Sequence, residues 1–165
     1  MLALSLEIAE ITFDPKTKQI MDVFFRKDFR FKCQRCAVFC CSLGGPKLNV
    51  KDLQRLEKTG YKSEIYVDNT EKKSDNQLFL KEKEDSSCVF LKHDIGSKNY
   101  ECAIYEFRPL VCRLYPFEFL STGNNTGVLR IIPCCNGLNA LDGAIVNRKF
   151  IEKNLFEAII DSITS

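Results

Sequence analysis

Apolar and polar residues alternate at the start of the chain, with Leu2, Leu4, Leu6 and Ile8 on one side of an extended backbone. Asp14-Pro15 supplies a turn before a second apolar run, IMDVFF, so the pattern predicts an N-terminal β-hairpin. FRFKCQRCAVFCCSLGGPKL follows, rich in aromatic, β-branched and glycine residues. It predicts a strand, then an irregular cysteine loop closed by Gly44-Gly45-Pro46. Asn49 stands where an N-cap belongs, ahead of VKDLQRLEKTG, with Asp52 in the first turn, Leu53 and Leu56 on one face and Gly60 as terminator. A short helix covering the sheet is expected there. YKSEIYVDNTEKKSDNQ keeps no period and predicts an exposed loop. LFLKEK, SCVFLK and YECAIYEF predict short antiparallel strands, the last two joined by a turn at His93-Asp94-Ile95-Gly96. Arg108-Pro109 opens a short helical segment that Tyr115-Pro116 closes, and GVLRIIP is one more strand. Helical spacing of Val146, Phe150, Ile151, Leu155, Ile159 and Ile163 predicts an amphipathic C-terminal helix over 146–164. The expected fold is α+β: a single small domain over 1–165, with short antiparallel strands and a few helices around a cysteine-rich site.

Composition narrows the function. A chain of 165 residues is long enough to bury a core without cross-links, so its nine cysteines need another explanation. Nine is odd, which excludes a complete set of intramolecular disulfides. Charge is nearly balanced, 24 Lys plus Arg against 22 Asp plus Glu, which gives no electrostatic case for nucleic acid or a membrane surface. MLALSLEIAE has no early basic residue and is interrupted by Glu7 and Glu10, so it reads as mature protein and not as a secretory signal. No apolar run reaches the roughly 20 residues of a membrane-spanning helix. A cytoplasmic protein with reduced thiols is expected, and clustered thiols there bind metal or do redox chemistry.

The densest signal is CQRCAVFCC, which places Cys33, Cys36, Cys40 and Cys41 within nine residues. A C-x2-C spacing lets two thiolates reach one ion across a tight turn. Cys40 and Cys41 are neighbours whose side chains leave the backbone in different directions, so they serve different ions or only one of them ligates. Downstream, Cys88 lies in SCVFL, Cys102 in ECAIYEFRP, Cys112 in VCRLYPF, and Cys134 with Cys135 in PCCNGL. The ordered set FKCQRCAVFCC, CVFL, ECAIYEFRPLVCRLYPF and CNGL resembles the YkgJ family of cysteine-cluster proteins, a zinc- or iron-chelating domain. The resemblance runs from Cys33 to about Leu138. Two departures stand out: Ala37-Val38-Phe39 replaces a glycine plus one residue, which alters the reach of the loop, and Asn136 stands where the family often has proline.

Carried over by position, the resemblance implies metal ligation by Cys33, Cys36, Cys40, Cys41, Cys88, Cys102, Cys112 and Cys135, with Cys134 outside the pattern. Eight thiolates exceed one tetrahedral site, so either there are two sites or one site is accompanied by structural or reactive cysteines. Cys33, Cys36, Cys102 and Cys112 head the ligand ranking. Arg108 and Arg113, with Arg30, Lys32 and Arg35, bring positive charge that would stabilise bound thiolates. An all-thiolate set suits zinc, iron or an iron–sulfur cluster and argues against calcium or magnesium.

The expected function is a metal-binding protein holding zinc or iron. The alternative from the resemblance is an iron–sulfur oxidoreductase, or a protein lysine N-methylase like the flagellin methylase FliB. His93, the one histidine, reads as a solvated loop residue with no catalytic role. RKDFRFKCQR is the one basic patch, and charge compensation of thiolates explains it without a nucleic acid. No phosphate-cradling glycine motif or nucleophile elbow occurs, and the sequence names no protein partner.

Overall fold

The structure, a computed structural model, describes residues 5–42, 44–68, 77–93, 96 and 100–164, with Val38 and Phe39 described by their backbone alone. In chain order the first half contains β1 (Leu6–Phe13), β2 (Ile20–Phe25), β3 (Arg30–Phe31), α1 (Val38–Ser42), β4 (Lys47–Leu48), α2 (Val50–Glu57), α3 (Ser63–Tyr66), β5 (Val67–Asp68) and β6 (Leu78–Leu80). The second half adds β7 (Leu91–His93), β8 (Tyr100–Cys102), a 3-10 turn (Tyr105–Phe107), α4 (Leu110–Leu114), β9 (Phe117–Gly123), β10 (Thr126–Ile131) and β11 (Ala144–Ile145). A helical tail closes the chain: α5 (Arg148–Phe150), a π-helical stretch (Ile151–Leu155) and α6 (Phe156–Thr164). The class is α+β, as the hydrophobic pattern predicts. Two compact units divide it, one from residues 1–34 and 114–164, the other from 35–113.

The first unit carries a four-stranded antiparallel sheet in the order β2-β1-β10-β9, and a two-stranded pair of β11 with β3. The N-terminal hairpin is present, with Ile11 opposite Val23; Leu2 and Leu4 lie outside the described residues. A bulge between Glu7 and Ala9 turns two consecutive residues, Ile8 and Ala9, into the core and leaves Leu6 exposed. Strand β9 falls in a stretch, between Tyr115-Pro116 and GVLRIIP, to which the sequence pattern assigns no element. Phe117 and Phe119 alternate inward, and Phe119 meets Phe13 edge-on at 5.7 Å. Asn124 and Asn125, at φ 41° and 63°, make the tight turn into β10. The C-terminal helix begins at Arg148 and not at Val146, because the Asn147 side chain accepts the Phe150 N–H at 2.9 Å as an N-cap. Ile151, Leu155, Ala158 and Ile159 form its buried face.

In the second unit, β4, β6 and β5 form an antiparallel sheet and β7 pairs with β8. Leu48, Val67 and Leu80 from the sheet pack with Leu56, Tyr66, Phe90, Leu91 and Ile104 in one core, which also takes in Cys41 and Cys88. Helix α2 starts as expected: the Asn49 side chain accepts the Asp52 N–H at 2.7 Å while Asp52 accepts the Asn49 N–H at 3.0 Å. Two expectations are corrected. The cysteine loop contains a short helix, α1, and the stretch expected to be an exposed loop contains α3 and β5. The latter exists because β6 supplies a partner for Val67 and Asp68; the rest of that polar stretch, 69–76, lies outside the described residues. His93 is the last residue of β7 and not part of a turn, and its ring stacks on Tyr100 at 4.5 Å. Most of the connection that follows, 94–95 and 97–99, lies outside the described residues.

Gly45 fixes the path out of the cysteine segment. A Cβ there would sit 1.8 Å from the Leu80 carbonyl oxygen, so the backbones of β6 and of the residues before β4 approach at a distance that only glycine allows. Gly45→Ala is expected to lower unfolding free energy by about 2 kcal/mol, read as a reduced denaturant midpoint at unchanged slope. An unchanged midpoint would contradict the contact. Among the described residues, no helix is long and apolar enough to cross a membrane.

Candidate metal centre

Five of the eight implicated cysteines belong to one interacting group in the second unit. α1 presents Cys40 and Cys41, β8 ends on Cys102, α4 carries Cys112, and Cys88 occupies the turn before β7. Backbone bonds hold these pieces in register. The Cys88 N–H donates to the Cys41 carbonyl at 2.8 Å, the Leu91 N–H to the Cys88 carbonyl at 3.0 Å, and Leu91 pairs with Cys102 across β7 and β8. Helix α4 is anchored from a distance: the Leu110 N–H donates to Asp52 Oδ1 at 2.7 Å. Asp52 is 1% exposed and so joins the start of α2 to the helix bearing Cys112. Sequence reasoning saw Asp52 only as a first-turn acid; the Asn49-x-x-Asp52 spacing was the available signal for its capping half.

Cys41 is the centre of the group. Its sulfur lies 3.9 Å from that of Cys40, and it also hydrogen-bonds Cys102. The hydrogen bonds it shares with both neighbours push its own thiol far up. The hydrogen bond with Cys41 holds Cys102 down to about 6, helped by the Ile104 N–H and the Arg108 guanidinium, and holds Cys40 down to about 7, where Arg108 helps again. Burial pushes Cys88 and Cys112 up, the latter also because the other thiols surround it. Without a cation, the group keeps its buried members protonated and concentrates negative charge on Cys40 and Cys102.

Another regularity points to thiolate chemistry. Cys88, Cys102 and Cys135 each accept a hydrogen bond from the backbone N–H two residues on, from Phe90, Ile104 and Gly137, the last at 3.4 Å. Such N–H···S bonds stabilise thiolate ligands.

The chain has four further cysteines. Cys36 belongs to the second unit, between Arg35 and Ala37, whose φ angles of 52° and 50° are both left-handed. Ala37 occupies the position where the YkgJ pattern has glycine, the residue that takes such a φ without strain. Cys33 is exposed and, with Cys134 and Cys135, belongs to the first unit. Cys134 has the Tyr115 hydroxyl as its partner at 3.2 Å. The basic stretch is extensively engaged: Arg26 with Glu7 at 3.2 Å, Arg30 with the Gly143 carbonyl at 2.9 Å, Lys32 with Asp142, and Arg35 with Glu106 at 3.6 Å.

Among the described residues, no three His, Cys, Asp or Glu side chains already converge as a metal-holding group. The donors nonetheless fit zinc or iron. They are all sulfur, the donor type that zinc and iron take in thiolate sites.

Comparison with known proteins agrees with the chemistry. Residues 32–144 match the sequence model of the CxxCxxCC family, described as "Putative zinc- or iron-chelating domain". Two uncharacterized proteins of Methanocaldococcus jannaschii are similar, each 28% identical over 82% of this chain. The chain spans about half the length of the first (49%) and 72% of the second. No solved structure matches.

Proposed function

The chain belongs to the CxxCxxCC family of zinc- or iron-chelating domains, and from that membership we propose that it holds one such ion through the cysteine group of its second unit. Cys40, Cys88, Cys102 and Cys112 are the proposed thiolate ligands, with Cys41 beside them as proton donor or replacement ligand. The observation that carries this reading is the mutual interaction of five thiols drawn from α1, β8, α4 and the Cys88 turn. A structural disulfide role would leave an odd thiol, and a core role would not put three of these sulfurs under an arginine's charge. Cys33, Cys36 and Cys135 complete the set of eight that the family pattern implicates.

An iron–sulfur cluster is the finer alternative, supported by the N–H···S bonds at Cys88 and Cys102. It would bring the oxidoreductase and lysine methylase readings with it. The cytoplasm is the proposed compartment, because free thiols need reducing conditions. Anaerobic purification followed by elemental analysis and a visible spectrum tests all of this together. Near-stoichiometric zinc in a colourless protein supports the structural or metal-handling role, and iron with sulfide absorption supports the cluster. A chain with neither metal, which also fails to take up zinc or ferrous iron after reduction, would refute metal binding.

A further inference from the structure

We propose that Arg108 is the counter-cation of the thiolate site, held in place to offset the negative charge of a metal–thiolate centre and thereby to set its affinity. This rests on the metal-holding reading and singles out Arg108 from the basic residues near the cysteines as the one that sets the affinity. The Arg108 guanidinium is half-buried, and among the described residues it pairs with no carboxylate. Its partners are neutral. Nε donates to the Tyr105 carbonyl at 2.8 Å, one terminal nitrogen donates to the Cys112 carbonyl at 3.5 Å, and the group lies 3.7 Å from the Tyr105 ring centre. A half-buried cation supported only by dipoles and a ring is incompletely compensated, which is costly unless an anion completes the site.

The neighbouring Arg35 shows the contrast. It lies 3.9 Å from the same ring centre, and two guanidinium groups that close to one centroid must occupy opposite faces. Arg35 has Glu106 at 3.6 Å to balance it; among the described residues Arg108 has no such acid. The charge of Arg108 acts on Cys40, Cys102 and Cys112, three of the four thiols that would carry negative charge as metal ligands. Zinc with four thiolates carries a net charge of −2, so the centre and the cation each supply what the other lacks. Arginine suits this position because its fork reaches two carbonyls while its plane stacks on tyrosine.

The test compares the full chain with Arg108→Gln and Arg108→Lys, using zinc alone as the probe in competition with a chromophoric chelator. Melting of the metal-free proteins is measured alongside. Arg108→Gln is expected to weaken zinc binding about 10- to 100-fold. Arg108→Lys keeps the charge and should stay within about threefold of the parent, with metal-free melting of both variants close to that of the parent. Equal binding by the parent and Arg108→Gln overturns the proposal, and so does equal weakening by both variants, which would show a packing role. If Arg108→Gln does not fold, Arg108→Lys decides: a tenfold loss there overturns the counter-charge role. A parent chain that binds neither zinc nor iron refutes the metal-holding reading instead, so the two failures are distinct.

Discussion

Cys102→Ser is expected to strip the chain of metal. The Cys102 sulfur accepts from Cys41, from the Ile104 N–H and from the field of Arg108, three influences that favour its ionised form. Serine at that position offers a hydroxyl that does not ionise near neutrality, so the site loses a charged ligand and not merely a soft one. Structural zinc in small four-ligand sites contributes about 10–16 kcal/mol, so the loss of one ligand should cost about 3 kcal/mol or more, at least a 100-fold loss of affinity. Metal content after desalting should therefore fall to a small fraction of the parent, and the melting temperature of the metal-loaded protein should fall with it. Cys134→Ser is the matched control. Its thiol lies in the first unit with Tyr115 as partner and is not among the proposed ligands, so metal content should not change. Full retention of metal by Cys102→Ser would refute the proposed centre.

What the sequence revealed about this centre followed from local signals. The β1–β2 hairpin, the Asn49-capped α2 and the helix after Pro109 each depend on a few adjacent residues, and each is present. What it hid depends on contacts between distant residues. Helix α1 spans only Val38–Ser42, too short to be stable on propensity, and is secured where the Cys41 carbonyl receives the Cys88 N–H. Strand β5 is two residues of a polar stretch made regular by β6. Strand β9 was visible in principle, in the inward alternation of Phe117 and Phe119 and the Asn124-Asn125 turn. The reading of Tyr115-Pro116 as a helix terminator concealed it. The cysteine order was legible because spacing is a property of the chain. Which thiols meet was not, because Cys41 and Cys102 are 61 positions apart in the sequence and meet only after β7, β8 and α1 are in place. The same limit applies to Asp52, whose capping half is local and whose bond to Leu110 is not.

That long-range bond makes Asp52 the residue whose loss should most damage the fold. Its carboxylate closes the capping box of α2 through the Asn49 N–H at 3.0 Å and accepts the Leu110 N–H at 2.7 Å, all while 1% exposed. Asp52→Ala removes both acceptors at once. The lost cap costs about 1 kcal/mol, and a buried N–H left without an acceptor costs about 1–3 kcal/mol more. The sum, about 3 kcal/mol, corresponds to a drop of roughly 6–12 °C in melting temperature for a chain of this size. Asp52→Asn retains one acceptor oxygen and should lose about half as much. Because Leu110 begins the helix that carries Cys112, the damage should extend to the metal. At a temperature where Asp52→Ala is still folded, zinc affinity should be reduced, whereas an equally destabilising change in the first unit, such as Leu129→Ala, should leave it intact. Asp52→Ala losing less than about 1 kcal/mol would mean that water replaces the carboxylate. Normal zinc affinity in a destabilised Asp52→Ala would mean that α4 keeps Cys112 in place without its anchor.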